Sequence, residues 1–261
     1  PTQHRATIHD CTFSAQARFM IAACGDQFVY LWDVPSGAAL DRYGTRRLFD
    51  HLIAASPKRR DLPSSDELWD QYLPGEAVYD VTVVRMSADG EYALLSATVR
   101  ESATVDAAAP AAAGHRSCVL VFHIASGELR SVTSRQPGAI SAFAMDATAD
   151  RLLLARSDHA LELWNLQTEE RLALLRGHDE KVNAVAFSPD GRVGFSCARD
   201  RTLVAWNLES GARLAAFTAD AALRSVAVAP AGDVIAAGDV AGRVHMLRWT
   251  PGRWEAGPPR S

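Results

Sequence analysis

The stretch Arg176–Gly211, RGHDEKVNAVAFSPDGRVGFSCARDRTLVAWNLESG, constrains this chain more than any other. Val182, Ala184 and Ala186 alternate with Asn183, Val185 and Phe187, the pattern of an extended segment buried on both faces. Ser188-Pro189-Asp190-Gly191 then makes a tight turn, because Pro fixes φ and Gly accepts φ > 0. Val193–Cys197 and Thr202–Leu208 read as second and third strands, separated by the polar turn Arg199-Asp200-Arg201, and Arg213–Phe217 as a fourth. Four short strands in about 40 residues form a sheet too small to bury both of its faces, so the stretch requires copies of itself.

The copies are present. Trp164 precedes Trp206 by 42 residues, and Leu247 follows it by 41. Trp32 in VYLWDVPSG and Phe122 in VLVFHIASG occupy the same place in two earlier segments. His178 lies 28 residues before Trp206, and His4 lies 28 before Trp32. A period near 40–45 residues with Trp-Asp at its end and Gly-His upstream marks a propeller blade. On these residues the chain resembles the WD-repeat β-propeller family, and the expected fold is all-β.

The resemblance implies a buried hydrogen-bonded chain of His178, Ser196, Asp200 and Trp206. Such a chain is physically sensible, because a buried indole N–H or carboxylate left without a partner costs about 1–3 kcal/mol. Other segments depart from the set. The first keeps His4, Asp26 and Trp32 but has Ala22 at the hydroxyl position; the third keeps Asp158 and Trp164 but has Gln136 and Leu154. A catalytic reading of His178, Ser196 and Asp200 is set aside, because the Asp-x-Thr and Trp context accounts for all three structurally. No residue is assigned to catalysis, to a cofactor or to a metal.

In chain order, residues 1–40 are expected to form a first blade. Residues 41–75 read as a helical insertion: Leu48, Phe49, Leu52 and Ile53 share one helical face, and Ser64-x-x-Glu67 caps a second short helix carrying Trp69 and Tyr72, candidate docking contacts. Residues 76–130 form a second blade interrupted by an Ala-rich loop at 100–116; 137–173, 177–217 and 218–249 form the third, fourth and fifth; 250–261, with three Pro and two Gly, reads as a tail. Five visible blades and no fourth strand after Trp249 are expected to be part of a larger ring, seven-bladed as the resemblance implies; the alternative is that the 41–75 insertion occupies a slot and five blades close alone. The chain begins with Pro, as a fragment or trimmed chain does. The closing segment, with Gly238-Asp239 and Gly242, resembles C-terminal propellers of bacterial signal-transduction NTPases of the apoptotic-protease-activating-factor type.

Composition narrows the function classes. The chain has 261 residues, 48% of them hydrophobic, and a formal charge of −4, which leaves nucleic acid a poor candidate partner. No apolar run is long enough to span a membrane, and no signal peptide is visible. Cys11, Cys24, Cys118 and Cys197 form no C-x-x-C pair, and a reducing cytoplasm is expected. The expected function is a non-catalytic protein-interaction or ligand-sensing module of a larger STAND-type signalling protein, with protein partners that include upstream domains of the same polypeptide. The alternative is a scaffold that completes a ring or complex with another chain; a propeller enzyme ranks behind both. Arg156, His159, Lys181, Arg199 and Arg201 form the candidate interaction face, suited to an acidic protein segment.

Overall fold

The structure is a computed structural model and describes residues 8–13, 19–24, 28–44, 78–86, 92–100, 116–123, 128–131, 136–137, 139–250 and 253–256. These residues fall in two compact units, Pro1–Ala139 and Ile140–Ser261. The first unit holds two antiparallel sheets. One is β1 (Ile8–Phe13), β2 (Phe19–Cys24), β3 (Phe28–Asp33) and β4 (Ala38–Gly44). The other is β5 (Val78–Met86), β6 (Tyr92–Arg100), β7 (Arg116–His123) and β8 (Glu128–Ser131), with β9 (Gln136–Pro137) also paired to β7.

The second unit holds three sheets, each with its strands in sequence order. They are β10 (Ile140–Met145), β11 (Arg151–Arg156), β12 (Leu161–Asn165) and β13 (Arg171–Leu175); β14 (Val182–Phe187), β15 (Val193–Ala198), β16 (Thr202–Asn207) and β17 (Arg213–Thr218); and β18 (Leu223–Val228), β19 (Val234–Asp239), β20 (Val244–Thr250) and β21 (Arg253–Ala256).

The repeat extends to details of backbone. In every sheet the first strand carries a register shift near its start, at Ile8/Asp10, Val81/Val83, Ile140/Ala142, Val182/Ala184 and Leu223/Ser225. Such a bulge turns one extra residue out of the ladder and re-aims its side chain. In two successive sheets that side chain reaches the next sheet: Ser141 Oγ donates to the Val182 carbonyl at 2.7 Å, and Asn183 Nδ2 to the Leu223 carbonyl at 2.6 Å. The turn between first and second strands also recurs, with Ala149, Gly191 and Gly232 at φ of 58°, 68° and 78°. Ser188 holds its copy closed, donating to Asp190 Oδ1 and accepting from the Val193 amide.

The core of the second unit lies between sheets. Leu153, Ala155, Leu161 and Leu163 of the third sheet pack on Val182, Val185, Trp206 and Leu208 of the fourth. Phe195, Cys197, Leu203 and Ala205 of the fourth pack on Leu223, Ile235, Ala237, Leu247 and Trp249 of the fifth. This sandwiching leaves β11, β15 and β16 buried on both faces, whereas the fourth strands β13 and β17 are largely exposed edges.

Several expected boundaries move. The first sheet continues to Gly44, because β4 pairs with β3 from Ala38 through Gly44. Pro137 lies in β9, against the second sheet, and the third sheet runs from Ile140 to Leu175. The second sheet's β8 reaches Ser131 and the fourth sheet's β17 reaches Thr218. The expected tail supplies a fourth strand: Arg253–Ala256 pairs with Leu247–Thr250, and Trp254 sits opposite Trp249 with ring centroids 4.8 Å apart. Phe195 of the preceding sheet meets both rings, at 5.6 and 5.9 Å, so aromatic packing holds this strand in place. Residues 45–77, with the expected helices and Trp69 and Tyr72, and residues 101–115 of the Ala-rich loop lie outside the described residues.

Removing that packing should loosen the fifth sheet. Trp254→Ala is expected to cost about 2–4 kcal/mol, read as a lower denaturant midpoint by far-UV circular dichroism. An unchanged midpoint would show that β21 adds nothing to the sheet.

Candidate functional site

The side chains of the Arg176–Gly211 repeat converge on one serine hydroxyl. Trp206 Nε1 donates to Ser196 Oγ at 2.8 Å, and Ser196 Oγ lies 2.7 Å from His178 Nε2. His178 Nδ1 lies 2.8 Å from Asp200 Oδ2. A single proton arrangement satisfies the whole chain: the indole N–H donates to Ser196, the Ser196 hydroxyl donates to Nε2, and Nδ1–H donates to Asp200. Asp200 also accepts from the Thr202 hydroxyl at 2.6 Å and from the Asp179 and Thr202 amides. Its carboxylate thereby closes the β15–β16 turn and ties it to the segment ahead of β14.

Each residue type has a local reason. Ser196 sits opposite Val204 in the β15–β16 ladder, two pairs away from Gly194 and Trp206, so the hydroxyl and the indole share a face. Gly177 has φ of 152°, and a Cβ there would lie 3.2 Å from the Trp206 ring. Glycine before the histidine therefore lets the chain pass over the indole.

Burial lowers the pKa of His178 from its ordinary 6.5, against the opposing pull of Asp200. For Asp200, burial alone raises the pKa, but hydrogen bonds from Thr202 and His178 prevail and hold it below its usual value. The order Asp200–His178–Ser196 mimics a catalytic triad. Ser196 is, however, fully buried, and its oxygen already accepts from the Trp206 indole, so no substrate carbonyl reaches it in this structure.

The other sheets meet the same need differently. In the third, Trp164 Nε1 donates to Glu162 Oε2 at 2.9 Å, in place of a serine–histidine pair. Glu162 is buried, takes Arg171 at 3.0 Å on its other oxygen and has Arg156 at 3.8 Å. Asp158, expected in a partial tetrad with Trp164, instead lies on the surface, accepts from the Ala160 amide and faces Arg176 at 3.6 Å. In the first sheet Trp32 stacks on Tyr30 at 5.6 Å, while His4 and Asp26 lie outside the described residues. In the fifth, Asp239 accepts from the Ala241 and Arg243 amides and meets His245 Nε2 at 3.0 Å. Those bonds, the Arg243 amide first and then His245, lower its pKa. Sequence reading missed Glu162 and the Asp239–His245 pair. The available signals were a lone acidic residue inside an apolar strand and a His six residues after an Asp-x-x-Gly turn.

The candidate interaction face divides. Arg199 donates its amide to the Lys181 carbonyl at 2.9 Å, so the two exposed side chains leave the same edge. Arg201 is exposed at φ of 68°, and His159 holds the equivalent turn position of the third sheet with the same φ. Arg156 does not belong with them: it is 5% exposed, held inside the third sheet beside Glu162, because it ends β11 rather than entering the turn. Among the described residues no group of His, Cys, Asp and Glu is arranged to hold a metal ion.

Two stretches, residues 2–33 and 169–207, match the family model of the WD domain, G-beta repeat. With repeated four-stranded antiparallel sheets, the fold class is that of a WD-repeat β-propeller. The chain is 34% identical to human WD repeat-containing protein 36 over 87 residues, which is 33% of this chain and 10% of that protein. It is 28% identical to the ribosome biogenesis protein WDR12 homolog of Chlamydomonas reinhardtii, covering 82% of this chain and 56% of that one. It is 25% identical to mouse apoptotic protease-activating factor 1, covering 74% of this chain and 13% of that one. The chain thus spans little more than half of these curated relatives at most. All three are eukaryotic, so they do not supply the bacterial relation implied by the Gly238–Gly242 segment.

Two measurements test the hydrogen-bonded chain. Ser196→Ala strands a buried indole N–H and is expected to cost about 1–3 kcal/mol in urea unfolding; wild-type stability would contradict the geometry. Acidification tests His178. Its folded pKa lies below the unfolded 6.5, so the unfolded state takes up the proton first and stability falls as pH drops below about 6.5. In His178→Gln the urea midpoint is expected to be lower overall and to vary less over that window.

Proposed function

We propose that the chain is a non-catalytic protein-interaction module that binds an acidic protein segment at the turn edge of the fourth sheet. One observation carries the reading: Lys181, Arg199 and Arg201 are exposed on turns fixed by backbone hydrogen bonds, and among the described residues none of the three is held in an ion pair. Asp200, between the two arginines, is engaged by Thr202 and His178, while Asp179 and Glu180 stay exposed ahead of Lys181. Complementary charge at such a rim raises the association rate and is weakened by salt. Protein partners also fit the similarity to WD-repeat proteins of assembly and signalling.

The wider setting we propose is the C-terminal part of a larger multidomain signalling protein of the STAND-type NTPase kind, in a reducing cytoplasm, with the propeller sensing a ligand. The likeness to mouse apoptotic protease-activating factor 1 over 74% of the chain supports this setting. A second setting, a scaffold in ribosome assembly, is favoured by the likeness to the algal ribosome biogenesis protein over 82% of the chain. The sequence of the native transcript separates them: a G-x-x-x-x-G-K-[ST] motif upstream supports the first, and its absence rules that setting out.

The interaction face is tested with a labelled poly-glutamate peptide followed by fluorescence anisotropy. The triple variant Lys181→Glu, Arg199→Glu, Arg201→Glu is expected to weaken binding by about tenfold or more, mostly through slower association, with thermal stability unchanged. Binding of equal strength in the variant would overturn the assigned face.

A further inference from the structure

The charges at the turn edge of the fourth sheet come in a fixed order. The segment ahead of β14 carries Asp179, Glu180 and Lys181, and the β15–β16 turn carries Arg199, Asp200 and Arg201. Two hydrogen bonds set one against the other: the Asp179 amide donates to Asp200 Oδ2 at 3.0 Å, and the Arg199 amide donates to the Lys181 carbonyl at 2.9 Å. Lys181 and Arg199 therefore leave adjoining backbone positions, while Asp179 starts beside the middle of the turn and Glu180 stands between. Asp179, Glu180, Lys181, Arg199 and Arg201 are all exposed.

Closed ion pairs bound this group on both sides. Toward the third sheet, Arg176 faces Asp158 at 3.6 Å. Toward the fifth, the Arg201 carbonyl accepts from the Ala219 amide at 2.9 Å, and the next residue, Asp220, holds Arg243 at 2.9 Å. Within the group, Asp200 is taken by His178 and Thr202. Among the described residues this leaves Lys181, Arg199 and Arg201, and the carboxylates of Asp179 and Glu180, outside any ion pair. The backbone beneath both segments is anchored by the buried His178 and its contact with Asp200, so the spacing of these charges is preset before a partner arrives.

A uniformly acidic segment complements only part of this edge. Carboxylates that approach Lys181, Arg199 and Arg201 also approach Asp179 and Glu180, and like charges brought together in an interface oppose binding. Arg176 does not offset them, being turned to Asp158. Resting on the acidic-segment reading of this edge, we propose that the partner segment is of mixed charge, with lysine or arginine adjoining its acidic residues, and that Asp179 and Glu180 are the specificity-determining residues that select it. Acidic side chains of the partner meet Lys181, Arg199 and Arg201, and the adjoining basic side chain meets Asp179 and Glu180. The same two carboxylates weaken the hold on a purely acidic competitor, so discrimination comes from repulsion as well as attraction.

Two labelled peptides of equal length, followed by fluorescence anisotropy at fixed salt, test the selection. One is all glutamate; in the other a pair of lysines adjoins the glutamates. Wild-type protein is expected to bind the mixed peptide about fivefold more tightly, although that peptide carries the smaller net charge. In the double variant Asp179→Asn, Glu180→Gln the preference reverses, because all-glutamate binding strengthens and mixed-peptide binding weakens. Both side chains are exposed, and it is the Asp179 main-chain amide that bonds Asp200, so the circular dichroism spectrum and thermal midpoint should be unchanged. Wild-type protein that binds the all-glutamate peptide as tightly as the mixed one, or a preference that survives in the double variant, overturns the proposal and leaves the acidic-segment reading standing. Binding of neither peptide, or binding of both at wild-type strength by the Lys181→Glu, Arg199→Glu, Arg201→Glu variant, removes that reading and the proposal with it.

Discussion

One hydroxyl, Ser196 Oγ, carries the interaction on which the best-formed repeat depends. It lies 2.8 Å from the Trp206 indole and 2.7 Å from His178, in a place from which water is excluded. A tryptophan at the centre of an inter-sheet core contributes a large buried surface but brings one N–H that must be satisfied. Serine on the neighbouring strand accepts it, histidine accepts from the serine, and Asp200 fixes the histidine tautomer. Because Asp200 also gathers turn amides, the same chain joins the core of the sheet to the turn that presents Arg199 and Arg201. The charged edge and the buried packing are therefore one structure.

The third sheet meets the same requirement with a different residue. Trp164 finds a carboxylate, and that buried Glu162 is balanced by Arg171 and Arg156. A buried charge is tolerable only with such partners. The fifth sheet has no indole at the equivalent place, since Leu247 stands there, and so it needs no acceptor. Its turn is still closed by a carboxylate, that of Asp239, supported by His245. Bulges and left-handed turns recur at one repeat position after another, so the backbone plan persists while the side chains vary.

Much of this was legible because it is local. The Ser188–Gly191 turn and the His178–Ser196–Asp200–Trp206 set lie within 28 residues from His178 to Trp206, and the period shows in the 42 residues from Trp164 to Trp206. What the spacing hid depends on tertiary contacts. Arg156 reads as the start of a turn, yet it ends β11 and is drawn inward by Glu162. Arg253–Ala256 follows Pro and Gly and has no periodicity of its own; it is a strand because Trp254 meets Trp249 and Phe195. Glu162 looks like a surface residue until the neighbouring indole and guanidinium groups are placed around it.

The fourth sheet depends on the serine-centred chain being as closed as its geometry requires. Hydrogen exchange of the indole protons, followed by NMR, reads this directly. The Trp206 Nε1 proton is expected to exchange only with the cooperative opening of the fourth sheet, at the rate of the most protected β15 and β16 amides. Exchange of Trp206 as fast as an exposed indole, with those amides still protected, would show that the Ser196 hydroxyl does not hold the indole.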